Sequence, residues 1–112
     1  MSKVSFEEMG AVTVSFLCEE GVSEGQVVKV SADGTVGPCT AGEDFCGVAR
    51  SPRCGGAAVQ VKGFVPVKTT GKLPLGWCSL AADGTGGVKK AESGGVKALV
   101  VQAEAERAVV CL

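Results

Sequence analysis

Gly25-Gln-Val-Val-Lys-Val-Ser-Ala-Asp-Gly-Thr35 reads as a strand and its turn, and the phrase returns as Gly76-Trp-Cys-Ser-Leu-Ala-Ala-Asp-Gly-Thr85. Each copy has a glycine, a short apolar run and then Ala-Asp-Gly-Thr. Asp-Gly between extended runs favours a tight hairpin turn, because Asp tolerates the left-handed region and Gly enters it without a steric penalty. The chain is therefore expected to contain two similar hairpin units about fifty residues apart. Neither copy carries groups suited to catalysis, so the repeated part reads as scaffold.

The flanking segments extend the same pattern. Ala11-Val-Thr-Val-Ser-Phe-Leu17 alternates with period two, with Val12, Val14 and Phe16 on one face. Phe45-Cys-Gly-Val-Ala49 is a short apolar strand, and Ser51-Pro-Arg-Cys-Gly-Gly56 is a loop. The longest strand expected runs from Ala57 to Lys68. It places Val59, Val61, Val65 and Val67 on one face and Gln60, Lys62, Phe64 and Lys68 on the other. Gly63 within it signals a bulge or the close approach of another backbone. Pro66 lacks the donor an interior strand needs, which places this part at a sheet edge. Val96–Gln102 and Arg107–Cys111 form the last strands, joined by the polar Ala103-Glu-Ala-Glu-Arg107 connection. The sum is an all-β fold: a small, single-domain antiparallel β-barrel or sandwich of about eight to nine short strands, spanning residues 11–112 after an N-terminal arm, residues 1–10. No crossover of helical length separates the strands, which argues against a parallel sheet.

Length and composition agree. One domain is the natural reading of 112 residues, and a chain this long buries roughly 65 % of its unfolded surface. Hydrophobic residues are 46 %, too many for a disordered chain. The 17 glycines lack the three-residue period of collagen and suit many tight turns. The net charge of −1, with acids and bases intermixed, gives no electrostatic footprint for nucleic acid. No apolar run approaches the ~18 residues of a membrane span. Acidic residues stand where a signal peptide needs an apolar stretch, so an intracellular protein is expected.

Groups for chemistry are sparse. The chain has neither histidine nor tyrosine, which removes the usual general base and the commonest metal ligand. The six cysteines, Cys18, Cys39, Cys46, Cys54, Cys78 and Cys111, show no Cys-x-x-Cys pairing, and no metal site, cofactor or disulfide framework is expected from them. Several read as small buried hydrophobes, and Cys54 as an exposed thiol. Lys68-Thr-Thr-Gly-Lys72 lacks the Walker A pattern, having Pro66 and Leu73 where Gly and Ser or Thr are needed. The paired acids Glu7-Glu8 and Glu19-Glu20 point to opposite faces of an extended chain and read as solvated. Trp77, the sole tryptophan, reads as half-buried packing or as an interface anchor. No catalytic residues are assigned, and a non-enzyme is expected.

The order of Gly25 to Val36, Phe45-Cys-Gly-Val-Ala49, Val59-Gln-Val-Lys-Gly-Phe-Val65 and Leu75-Gly to Thr85 resembles a family of small phage proteins, the head decoration or capsid cement proteins. The resemblance covers roughly residues 11–102, and the family's second Gly-Val-Ala is replaced here by Gly95-Val-Lys-Ala-Leu-Val100. It implies a structural protein that binds the phage major capsid protein on the outside of the expanded head, as a homotrimer, and helps the shell resist DNA pressure. Localisation would be the capsid surface of the virion, and the host cytoplasm during assembly. The candidate capsid or subunit contacts are Val4, Phe6 and Met9 in the arm, and Trp77. The competing readings are a small β-barrel module that binds carbohydrate or peptide without catalysis, and a metal- or thiol-dependent protein. Neither nucleic acid nor membrane is an expected partner.

Overall fold

A computed structural model describes residues 10–50 and 56–112 of the chain. The described residues form ten strands and no helix. These are β1 (Val12–Cys18), β2 (Val27–Ala32), β3 (Thr35–Pro38), β4 (Gly47–Ala49), β5 (Ala57–Lys62), β6 (Phe64–Lys68), β7 (Gly76–Ala82), β8 (Val88–Lys90), β9 (Val96–Ala103) and β10 (Arg107–Cys111). The expected long strand is two strands, β5 and β6, divided at Gly63. That residue has φ +94°, and a Cβ there would lie 2.6 Å from the carbonyl of Gly10. Gly63 therefore both breaks the strand and admits the chain entering β1, the close approach its position in a strand implies.

The first five strands close into a barrel in the order β1-β3-β2-β4-β5. The last five form a sheet in the order β6-β10-β9-β7-β8. β6 is an edge strand of that sheet, as Pro66 requires. The edges β6 and β8 come together at one parallel bridge, Thr69 to Val88, where the Thr70 amide donates to the Val88 carbonyl at 3.0 Å. Taken the other way round the barrel, the first order is β1-β5-β4-β2-β3, and every strand of the second is five higher. The repetition legible as two hairpins thus extends to two five-strand units, β1–β5 and β6–β10.

The registers match position by position except in the β2–β3 and β7–β8 hairpins, where Val30 pairs with Val36 but Leu80 with Lys90. Val14 with Val59 and Phe16 with Ala57 in the first unit correspond to Val65 with Val110 and Val67 with Ala108 in the second. Ala49 with Val59 corresponds to Val100 with Val110. Val27 with Val48 corresponds to Trp77 with Leu99. The seams correspond too: Cys18 pairs with Val36, and Thr69 with Val88.

These seams are the exceptions to the antiparallel pairing that was expected and that the rest of the fold shows. Every named strand pair in the described structure is antiparallel except β1 with β3, which run parallel through Leu17–Thr35 and Cys18–Val36. A parallel pair needs a return crossing; here β2 supplies it, and no helix is needed. The two Asp-Gly turns also differ. Ala32 pairs with Thr35, so Asp33-Gly34 makes a two-residue turn. Ala82 pairs with Val88, leaving Asp83–Gly87 as a wider loop. The Asp83 carboxylate fills that loop, accepting from the Thr85 amide and hydroxyl at 2.7 Å each and from the Gly87 amide at 3.1 Å.

Alternation along the strands divides the interior in two. One cluster lies wholly within the first unit, with Val28, Val36, Ala49, Ala57 and Val59 at its centre and Phe16, Cys18 and Cys46 around them. The larger cluster joins both units: Val27, Phe45 and Val48 from the first meet Val65, Leu80, Val88, Val100 and Val110 from the second. Burial on this scale is the main stabilising term, about 1.5–3 kcal/mol for each such side chain.

Backbone hydrogen bonds tie the units together along the β7–β8 hairpin. Val27 N donates to Gly86 O at 2.9 Å, Gly42 N to Ala82 O at 2.8 Å, and Ala82 N to Glu43 O at 3.0 Å. The Glu43 side chain braces this loop. Its carboxylate accepts from Lys29 Nζ at 2.7 and 2.8 Å, and from the Thr40 amide and hydroxyl at 2.7 Å each.

One polar residue of β5 lies in the interior. Gln60, on the face of the strand opposite Val59, is buried as well. Its amide donates to the carbonyls of Lys62 and Phe64 at 3.1 Å each, on either side of Gly63. Gln60 thus spans the break in the strand, its buried amide bonded to backbone on both sides of it.

Candidate interaction surface

The outward face of the second sheet carries a row of side chains in register, Trp77, Leu99, Cys111 and Phe64, one from each of β7, β9, β10 and β6. Beside it, Val109 pairs with Pro66. Trp77 is 67 % exposed, and Leu75, two residues before it, is equally open. The Lys97 ammonium lies 5.9 Å from the centroid of the Trp77 ring, a cation–π distance that orients the indole on the sheet surface. Trp77 is thus not the half-buried packing residue that was one reading of it; it stands out from the sheet, where a tryptophan is suited to anchor a contact. The other candidate contacts, Val4, Phe6 and Met9, lie outside the described residues.

A second set of exposed apolar side chains belongs to the first unit: Val12, Val14 and Leu17 on β1, and Val30 on β2. Val14 and Val30 pair with Val59 and Val36, both fully buried. They continue the apolar register of the barrel wall to a flank that nothing described here covers.

The polar features are structural in character. Lys68, Thr70, Asp83, Thr85 and Glu106 line an open cleft where the second sheet closes on itself. Burial pushes the Asp83 carboxyl up, but hydrogen bonds from Thr85, Thr70 and Gly87 outweigh it and hold the group below the ordinary carboxylate range. Thr70 joins this set through its hydroxyl, at 2.9 Å. Asp83 therefore fastens the β6–β7 connection to the β7–β8 loop. Next to it, the Thr69 hydroxyl is buried with no hydrogen-bond partner among the described residues.

Cys18, Cys39, Cys46, Cys78 and Cys111 are free thiols, with Cys39 and Cys78 buried as small hydrophobes. Burial, with Glu43 nearby, pushes Cys39 up to about 11, so it stays a protonated, weakly reactive thiol near neutral pH. Cys54 lies outside the described residues. Among the described residues, no group of three or more Cys, Asp or Glu side chains is arranged to hold a metal ion. No protein-family model matches the chain, and no curated protein matches it.

Sequence reading identified Trp77 but not the row around it. Leu99, Cys111 and Phe64 come from three other strands, and only the sheet order brings them into line. The available signal was alternation: each lies on the opposite side of its strand from a buried valine, Val100, Val110 or Val65.

Proposed function

We propose that this chain is a non-catalytic decoration protein of a phage head. It binds the outer surface of the expanded shell, contacts the major capsid protein and stabilises that state as a trimer. The observation that supports this most is the Trp77 row: a small, hydrogen-bonded β scaffold holds a tryptophan and flanking apolar side chains outward on a sheet face, suited to the contact between copies that such a trimer needs. A rigid anchor of this kind adds buried interface at little cost in ordering. The Gly- and Val-led pattern resembling the decoration proteins supports the same reading. A ligand that binds only the expanded shell stabilises it by mass action. The arm at residues 1–10 extends the contact, adding strand pairing to the shell protein. The protein would reside on the virion surface after assembly in the host cytoplasm.

Co-sedimentation with compact proheads and with expanded heads of the phage that encodes the chain tests this reading. Saturable pelleting with expanded heads alone is expected. Absence of pelleting with either form would overturn it and turn attention to a carbohydrate- or peptide-binding module. Deleting residues 1–9, which leaves Gly10 in place against Gly63, is expected to abolish shell binding while leaving the melting temperature unchanged.

A further inference from the structure

The two units exchange burial at corresponding positions. Val27 is 1 % exposed, whereas Trp77, its counterpart, is 67 % exposed. Val48 is fully buried, whereas its counterpart Leu99 is half-buried. On the opposite flank the order reverses. Val14 and Val30 of the first unit are 41 % and 55 % exposed, whereas their counterparts Val65 and Leu80 are at 0 %. Val27 and Val48 belong to the face by which the first unit joins the shared core, and Val65 and Leu80 belong to the side of the second unit that receives it. Each chain thus makes one junction between a donor face on unit one and an acceptor flank on unit two. Among the described residues, nothing covers the donor face of unit two or the acceptor flank of unit one.

We propose that the uncovered pair meet between copies of this chain. The Trp77–Leu99 face of one copy docks on the Val14–Val30 flank of the next, repeating between chains the junction already made within each chain. This contact is heterologous: the two sides are different surfaces, and every copy offers one of each. Such contacts form a ring when the rotation closes, and a filament otherwise. β1 is fitted to receive a neighbour. On its β3 side it is paired only at Leu17 and Cys18. Val12–Cys18 contains neither proline nor a charged residue, the devices that blunt exposed strands, and Ser15 occupies the position that Pro66 holds in β6. The proposal does not depend on the phage reading, because association between copies is measured with no shell present.

Sedimentation velocity on the purified chain, on Trp77→Glu, on Val30→Glu and on an equimolar mixture of the two variants tests it. The wild type is expected to form a discrete oligomer. Each variant should be monomeric, with self-association weakened by at least about 30-fold, as for loss of an interface hot spot. The mixture should recover a one-to-one dimer, because one variant retains the flank and the other the Trp77 face. A monomeric wild type, a variant that still assembles fully, or a mixture that forms no heterodimer would each overturn the proposal. A dilution series on the unaltered chain gives a second readout independent of the variants' folding. Trp77 emission should shift to longer wavelength as the oligomer dissociates, and unchanged emission across that transition would also overturn the proposal.

Discussion

Gly63→Ala tests the junction on which the two-unit arrangement turns. Two terms oppose the methyl group. The first is conformational: φ is +94°, where an L-residue costs about 1–2 kcal/mol. The second is steric, since the added Cβ would lie 2.6 Å from the carbonyl carbon and oxygen of Gly10 and 2.7 Å from the amide nitrogen of Ala11. Both neighbours are backbone and cannot rotate away, so the overlap adds about 1–3 kcal/mol, as for overpacking. Gly25→Ala separates the terms, because Gly25 has φ +87° and a Cβ there meets nothing within 4 Å. For a domain of this size 1 kcal/mol shifts the melting temperature by about 4 °C. Gly25→Ala should lower it by about 4–8 °C, and Gly63→Ala by a further 4–12 °C or so, in thermal unfolding followed by circular dichroism. Equal losses in the two variants would refute the steric argument and, with it, the packing of the chain entering β1 against the β5–β6 break.

Four other outcomes follow from the same structure. Thr69→Val removes a buried hydroxyl without a partner at nearly constant volume and should raise stability by about 1 kcal/mol in urea unfolding. Gln60→Leu removes the buried amide that donates to the Lys62 and Phe64 carbonyls and should cost about 1–3 kcal/mol in the same assay. Leu80→Ala should cost about 2–5 kcal/mol, whereas the corresponding change in the first unit, Val30→Ala, measured in dilute solution, should stay within about 0.5 kcal/mol. Hydrogen bonds from Lys29 and Thr40 hold the Glu43 carboxyl at about 2, below its ordinary 4.5. A depressed carboxyl stabilises the fold above its unfolded-state value and loses that contribution as pH falls toward 2. The stability difference between wild type and Glu43→Gln should therefore be constant above pH 5 and vanish near pH 2; a difference independent of pH would show that the ion pair contributes nothing.

The elements themselves were legible because turns and alternation are local. Asp33-Gly34, Pro66 and the polar Glu104–Glu106 connection lie where turn chemistry and missing donors place them. The extent of the repeat was not legible, since equivalent positions hold different residues: Ser15 and Pro66, Val27 and Trp77, Gln60 and Cys111. Backbone register preserves the equivalence while the side chains have diverged. The seams were hidden for a related reason, because a parallel contact of one or two residues between strands distant in sequence leaves no periodic trace. The burial of Gln60 was hidden because alternation places it opposite Val59 without telling that both faces of β5 are covered.

The division of the interior has a consequence for the order in which the protein is made. The cluster around Val28, Val36 and Val59 draws only on residues up to Val61. The cluster around Leu80 and Val100 also needs Val27, Phe45 and Val48. The leading half of the chain can thus consolidate as it leaves the ribosome, while the trailing half completes its core only against a finished neighbour. Synthesis from the N-terminus delivers the two halves in that sequence, so the nascent chain presents a prepared surface to each later strand as it emerges.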